Sequence, residues 1–265
     1  LSEFSEAAHE QDRFFGVRRV VGEAAPLFGA AVMVAYLDAV DDIELRGTDL
    51  PVDHLMDLMR GAWVLCGLEA HSINALPDWR TRQLDADAAE RRWKVGHRLF
   101  FVLNQGILAR LGALAEAVAA GDAAGRTEAL RSCSLLLRAA GAALHFTADF
   151  APEHYLDRVR PSMMPPHVPP GFSGLDGRDH QVLIEVFREL RPVFSSLADA
   201  EAAIFRDAAR CMLESHSCVC DRFGGAEHPS LRMLADDADT RQAASGVLRR
   251  LNQSRERLLR ASHSV

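Results

Sequence analysis

Apolar residues recur at spacings of three and four along almost the whole chain, while the strict alternation of a half-buried strand is nearly absent. The pattern predicts a first helix from Ser5 to Val21. A second begins near Pro26, whose fixed φ and missing N–H suit a first helical turn, and runs to about Leu45. The stretch RGTDLPVDH reads as a turn, with Asp53 placed to cap a third helix. That helix carries Leu55, Leu58, Met59, Ala62, Leu65 and Cys66 on one face. Its pattern runs past Gly67 into EAHSIN and stops before Pro77. Asp85 to Ala120 predicts a long fourth helix, and Thr127 to Ala148 a fifth with Leu130, Cys133, Leu137, Gly141 and Leu144 in one stripe. Pro152 opens a short helix to Val159. Further helices are expected over Gln181–Phe194, Leu197–Phe223 and Ser230 to about Ser262. No internal repeat is visible, and the economical fold is a single all-α domain over residues 1–265.

One stretch breaks this rhythm. RPSMMPPHVPPGFSGLDGRDHQVLIEVF, from Arg160 to Phe187, holds five of the eleven prolines: Pro161, Pro165, Pro166, Pro169 and Pro170. Gly171, Gly174 and Gly177 follow, then Asp179, His180 and a helical apolar pattern. So many residues that restrict or permit backbone shapes point to a shaped wall rather than a floppy loop. Asp176 or Asp179 is placed to cap the helix start, leaving His180 in its first turn to face a cavity. A structural Pro-rich connector with an incidental histidine fits the same residues.

Composition prunes the chemistry. A hydrophobic share of 48% is ample for a core, and a net charge of −7 without a dense basic stripe argues against nucleic acid as a ligand. No apolar run reads as a membrane span: the nearest, Ala24 to Val40, is interrupted by Pro26, Gly29 and Asp38. No signal peptide is apparent, and five cysteines without a spaced framework suit a reducing cytoplasm, the expected location. Lys94 is the one lysine among thirty basic residues, and with the abundance of alanine this suggests a high-GC genome such as an actinobacterium's. Schiff-base chemistry would rest on Lys94, which sits in the charged run ERRWK and reads as solvent-facing.

Among the eleven histidines there is no HExxH and no zinc-finger spacing. Cys211, His216, Cys218 and Cys220 fall on one predicted helix, cannot converge on one metal, and read as packing residues. DAVDDIE, Asp38 to Glu44, is similar to the magnesium-binding box of helical terpenoid synthases, but the second box is missing, so it reads as a solvated helix end. His71, in GLEAHSINAL, lies on an apolar pattern beside open surface at Gly67. His145 follows the small-residue run RAAGAAL, which reads as close helix packing.

The stretches VRPSMMPPHVPPGFSGLDGRDHQVLI and LEAHSINALPDWR resemble the heme-dependent L-tyrosine hydroxylases of actinobacterial natural-product pathways. That family belongs to the histidine-ligated heme superfamily of the tryptophan and indoleamine dioxygenases. The resemblance is clearest from Leu55 to Phe187 and implies an all-α heme enzyme that makes L-DOPA from L-tyrosine with hydrogen peroxide. It implies that His180 is the axial ligand of the heme iron and His71 the distal, non-coordinating histidine. A related branch, acting on a methylated tyrosine, has a cysteine four residues after the axial histidine that links the heme covalently. This chain has Ile184 there, which implies non-covalent heme b. The same branch has an upstream histidine as second axial ligand, to which His145 is the nearest equivalent. Arg160, in VRPSMM, is loosely similar to the arginine that holds the substrate carboxylate in indoleamine dioxygenases. A surface salt bridge would explain Arg160 equally well. Met163, Met164 and Phe172 are then expected along the substrate pocket. Asp176 or Asp179, or a backbone carbonyl, would take the second ring N–H of His180. The competing readings are a superfamily member with another aromatic substrate or with dioxygen, and a helical interaction domain without cofactor. A homodimer is compatible with all of them.

Overall fold

The computed structural model describes residues 6–20, 24–68, 84–174, 177–197, 199–233 and 242–258. Its helices are α1 (Glu6–Phe15), α2 (Ala24–Arg46), α3 (Val52–Cys66), α4 (Ala86–Ala120), α5 (Ala123–Thr147), α6 (Pro152–His154), α7 (Arg160–Ser162), α8 (Arg178–Glu189), α9 (Arg191–Ser196), α10 (Asp199–Arg222) and α11 (Ala244–Leu258). No strand occurs among the described residues beyond one bridge between Pro229 and Ala243, so the all-α reading holds.

The bundle is built around α5, which packs against α3, α4 and α10. Its buried run Ala139, Ala140, Gly141, Ala142 and Ala143 has almost no side chain to keep neighbours away. A Cβ on Gly141 would sit 2.9 Å from Ser215 Oγ of α10. The RAAGAAL run therefore serves close helix packing, as its composition predicted. Against this face α4 buries Leu99, Leu103, Ile107, Leu111 and Leu114 completely. By length and composition α4 is long and apolar enough to cross a membrane, which the sequence reading did not find. Here those leucines fill the centre of the bundle. Asp85 caps α4 by accepting from Ala88 N at 2.7 Å, and Gly121 ends it with φ 68°.

Gly96 marks the tightest crossing of α4 on α5. A Cβ there would lie 2.3 Å from Thr147 Oγ1 and 2.8 Å from Thr147 Cα. Alanine favours a helix over glycine by ~1 kcal/mol, but a clash with backbone cannot be relieved by rotating a side chain. Gly96→Ala is expected to destabilise by ~1–3 kcal/mol, read from the urea midpoint; an unchanged midpoint would mean that the two helices part freely.

Several boundaries differ from the sequence expectations for identifiable reasons. The first helix stops at Phe15, because Gly16 takes φ 67°. Asp53 sits inside the first turn of α3, whose N-cap is Pro51, so it does not cap that helix. The third helix does not pass Gly67: the residue adopts φ 66° and its N–H closes the helix end. His71 then lies outside the described residues. The span from Gln181 to Phe194 is two helices, because Pro192 lacks the N–H that would continue α8 into α9. Between α6 and α7, Tyr155–Val159 winds as a π-turn. The C-terminal span from Ser230 is a 3-10 turn at Leu231–Met233, followed by α11.

The acidic end of α2 is not the solvated end its composition suggested. Asp42 is fully buried and meets Arg92 Nε of α4 at 2.7 Å. Arg92, itself fully buried, also donates to the carbonyls of Gly47 (2.6 Å) and Asp149 (2.8 Å) and to the Asp149 carboxylate (3.2 Å). Burial lifts the Asp149 carboxyl above its usual range, although Thr48 and Arg92 pull it down. One guanidinium thus joins the end of α2, the turn after it, α4 and the end of α5.

Candidate functional site

The Pro/Gly connector is held from both sides. Gln11 of α1 donates to the Ser173 carbonyl, and Phe14 and Phe15 pack on the Phe172 ring at 5.0 and 6.3 Å. On the far side Arg160 donates to the Pro229 carbonyl at 2.9 Å. The connector then delivers α8 through Gly177, the N-cap, with no side-chain cap. A Cβ there would meet Gln11 Oε1 at 2.5 Å, so a larger residue would push the Gln11 side chain aside. Asp179 neither caps the helix nor reaches the His180 ring. Its carboxylate accepts from Arg19 at 2.7 and 3.0 Å and from Gln105. Asp176 lies outside the described residues.

His180 in the first turn of α8 and Ile184 one turn on line a cavity of about 90 Å³. Phe15, Phe100, Phe101, Leu144, Phe187 and Met212 make much of its wall apolar. Two more imidazoles enter it, His97 from α4 and His216 from α10, with Arg255 from α11. Phe15, His97, Gly174 and His216 also line a neighbouring chamber of about 180 Å³. These four residues form the waist between the chambers. A Cβ on Gly174 would meet nothing within 4 Å, so the waist is open beside the connector.

All three imidazoles are held neutral by burial. It lowers His180 to about 3, assisted by the nearby charge of Arg255, and His216 to about 4. His97 falls to about 4, against the opposing pull of its bond to the Trp93 carbonyl. Each of the three residues keeps some accessible surface and lines the cavity. His180 Nε2 lies 2.7 Å from the Arg255 guanidinium, which can only donate, so this nitrogen is unprotonated and its lone pair accepts from Arg255. Burial lowers Arg255 itself to about 10.

These shifts predict acid lability with a definite sign. The folded values lie below the unfolded ~6.5, so the unfolded chain takes up protons first as pH falls. The stability from the three neutral rings is complete above pH ~6.5 and lost towards pH ~4, by up to ~1.4 kcal/mol per pH unit for each ring. Urea midpoints at stepped pH should show that slope, and His216→Phe should flatten it; a flat wild-type profile would rule out the neutral cluster.

The structure distributes the sequence-derived candidates unevenly. Met163 and Phe172 line the second chamber, and Ile184 shares the first with His180. Met164 and Arg160 line neither chamber. His145 is turned away and stacks on His54, with ring centroids 4.5 Å apart. His97, His216 and Arg255 were missed as site residues. His97 is masked in sequence by the charges around it, and His216 looked like a packing residue on its helix. Their convergence is a property of three helices far apart in sequence.

Among the described residues, no group of three or more His, Cys, Asp or Glu side chains is set to hold a bare metal ion. The donor set instead suits an iron that brings its own equatorial ligands and needs one or two imidazoles. Apolar walls and the guanidiniums of Arg19, Arg178 and Arg255 suit a macrocycle with carboxylate arms. The residues therefore fit heme in chemistry. Each chamber is smaller than the ~300–1,000 Å³ usual for ligand sites.

A family model described as SfmD 3-methyl-L-tyrosine peroxygenase matches residues 2–204. The 3-methyl-L-tyrosine peroxygenase of Streptomyces lavendulae is 33% identical over 256 residues, which cover 92% of this chain and 68% of the relative. A crystal structure of reduced SfmD, prepared by soaking with sodium hydrosulfite, matches with a TM-score of 0.70 and 29% identity, over 82% of this chain and 74% of that one. These matches move the resemblance from the L-tyrosine hydroxylases to the branch that acts on a methylated tyrosine. The wider grouping with tryptophan and indoleamine dioxygenases remains a resemblance only. By the extent of the family match and the identity to its curated relative, the chain belongs to the SfmD 3-methyl-L-tyrosine peroxygenase family.

Proposed function

We propose that the protein is a heme peroxygenase that uses hydrogen peroxide to hydroxylate the phenol ring of L-tyrosine at carbon 3, giving L-DOPA. The observation that carries this reading is His180, whose unprotonated Nε2 accepts from Arg255 in a cavity with many apolar walls, in a chain of this family. Heme, when bound, supplies the oxygen-transfer chemistry. His180 would hold its iron, with Arg255 giving up its contact to Nε2. Ile184, one turn on, has no thiol, but Cys220, four residues after His216, lines the neighbouring chamber at the spacing that the methylated-tyrosine branch uses for its covalent link.

The rest of the wall binds, orients and excludes water. The phenylalanines around the first chamber keep solvent from the reacting atoms. Met163 and Phe172 offer a thioether and a ring face to the substrate's aromatic ring. Arg19 and Arg178 are suited to carboxylates, although Arg19 already pairs with Asp12 and Asp179 and Arg178 with Asp12. Arg160, whose guanidinium is bonded to the Pro229 carbonyl, would serve as a brace of the connector rather than as the carboxylate anchor. The distal role that the resemblance implies for His71 falls outside the described residues.

The second reading is 3-methyl-L-tyrosine as substrate, favoured by the relatives' activity. The deciding experiment loads the purified protein with heme and records the Soret band with each amino acid. Peroxide is then added and the hydroxylated products are identified by mass spectrometry. L-DOPA in excess supports the first reading, hydroxylated 3-methyltyrosine the second, and a protein that takes up no heme neither.

A further inference from the structure

His97 differs from the other two imidazoles of the cavity in how it is held. Its Nδ1 lies 2.7 Å from the Trp93 carbonyl, one turn back on α4. A carbonyl only accepts, so Nδ1 must carry the proton, and in the neutral ring Nε2 is then a bare lone pair. The ring is clamped by Phe15, stacked at 4.3 Å and 16°, and by Trp93 at 4.5 Å. Nε2 has no hydrogen-bond partner among the described residues, and the residue lines both chambers at their waist. His180 Nε2 is engaged by Arg255, and His216 shows neither a hydrogen bond nor a ring stack that would set its tautomer. A base whose second nitrogen is fixed by a backbone carbonyl is the arrangement that proton transfer requires.

We propose that His97 is the proton-transfer base of this cavity, taking a proton from hydrogen peroxide bound at the waist between the chambers. The inference rests on the peroxygenase reading. In the step, the Nε2 lone pair forms an N–H bond with a peroxide hydrogen, and the O–H electron pair stays on oxygen. The products are hydroperoxide anion and imidazolium, and nothing is oxidised or reduced. The Arg255 guanidinium in the same cavity favours the anion.

The test is cyanide association with the heme-loaded ferric protein, followed by stopped-flow absorbance. Hydrogen cyanide is a weak acid that must lose its proton to bind, as hydrogen peroxide does. His97→Phe, which keeps the stacking, and His97→Gln, which keeps a polar group, are each expected to slow association by ~10²-fold or more. Carbon monoxide binding to the reduced protein, which involves no proton, should stay at the wild-type rate. Unchanged cyanide rates would overturn the role, and so would equal slowing of both ligands, since that is obstruction. Nitrogen-15 spectra of the wild-type imidazoles test the premise without a variant: a proton on His97 Nε2 rather than Nδ1 would end it. A wild-type protein that takes up no heme would overturn the peroxygenase reading itself, and this role with it.

Discussion

His180→Ala is expected to weaken heme uptake by more than the ~10–100-fold typical of losing a ligand's supporting partner, because on the proposed reading the ligand itself is removed. The fold should survive the change. Arg255, which now donates to His180, keeps its contact with Asn252 Oδ1 at 3.2 Å, and Leu183, Ile184 and Phe187 of α8 still line the cavity. A hemin titration followed at the Soret band measures the loss directly. Added imidazole should restore a histidine-like spectrum in His180→Ala, since a small base can enter the space the side chain leaves. Wild-type affinity with an unchanged spectrum would remove His180 as the ligand. His145→Ala is the matched control, because that ring is stacked on His54 outside both chambers and should leave the titration unaltered.

Arg92→Met is expected to cost ~3–5 kcal/mol of stability. Its guanidinium is wholly enclosed, and so is the Asp42 carboxylate it meets at 2.7 Å. Removing it leaves Asp42 with the more distant Arg46 contact at 3.1 Å, and Asp149 with Thr48 and the Asp49 N–H. The carbonyls of Gly47 and Asp149 lose a donor as well. The cost comes from stranded charge, not from an especially strong pair. Arg92→Met combined with Asp42→Asn should therefore be less damaging than the sum of the single changes. A urea-unfolding cycle measures this. Strict additivity would show that the two groups do not interact.

The fold was largely legible in the sequence because helices announce themselves locally. Apolar spacing on α3, α4 and α5, Pro26 near the start of α2 and the glycine stop after α4 need only nearby residues to be read. Where the reading failed, the cause was a local switch with two permitted states. Gly67 can lie inside a helix or end it, and its left-handed φ is settled by what surrounds it. Asp42 looked solvated because no local rule tells an exposed acidic helix end from one that meets an arginine fifty residues away.

The candidate site divides along the same line. By itself the sequence determined an all-helical chain, a rigid connector, and His180 at the start of a helix, since each follows from short-range backbone rules. Its resemblance to a known family added heme and a tyrosine-like substrate, and the family match narrowed the branch. Only the tertiary structure decided that His97 and His216 converge with His180 while His145 does not, and that Asp179 turns to Arg19. It also decided that Arg255 stands at the imidazole lone pair. Those outcomes depend on which faces of α4, α8, α10 and α11 meet, and that is set by packing across the whole bundle, not by any neighbouring stretch of chain.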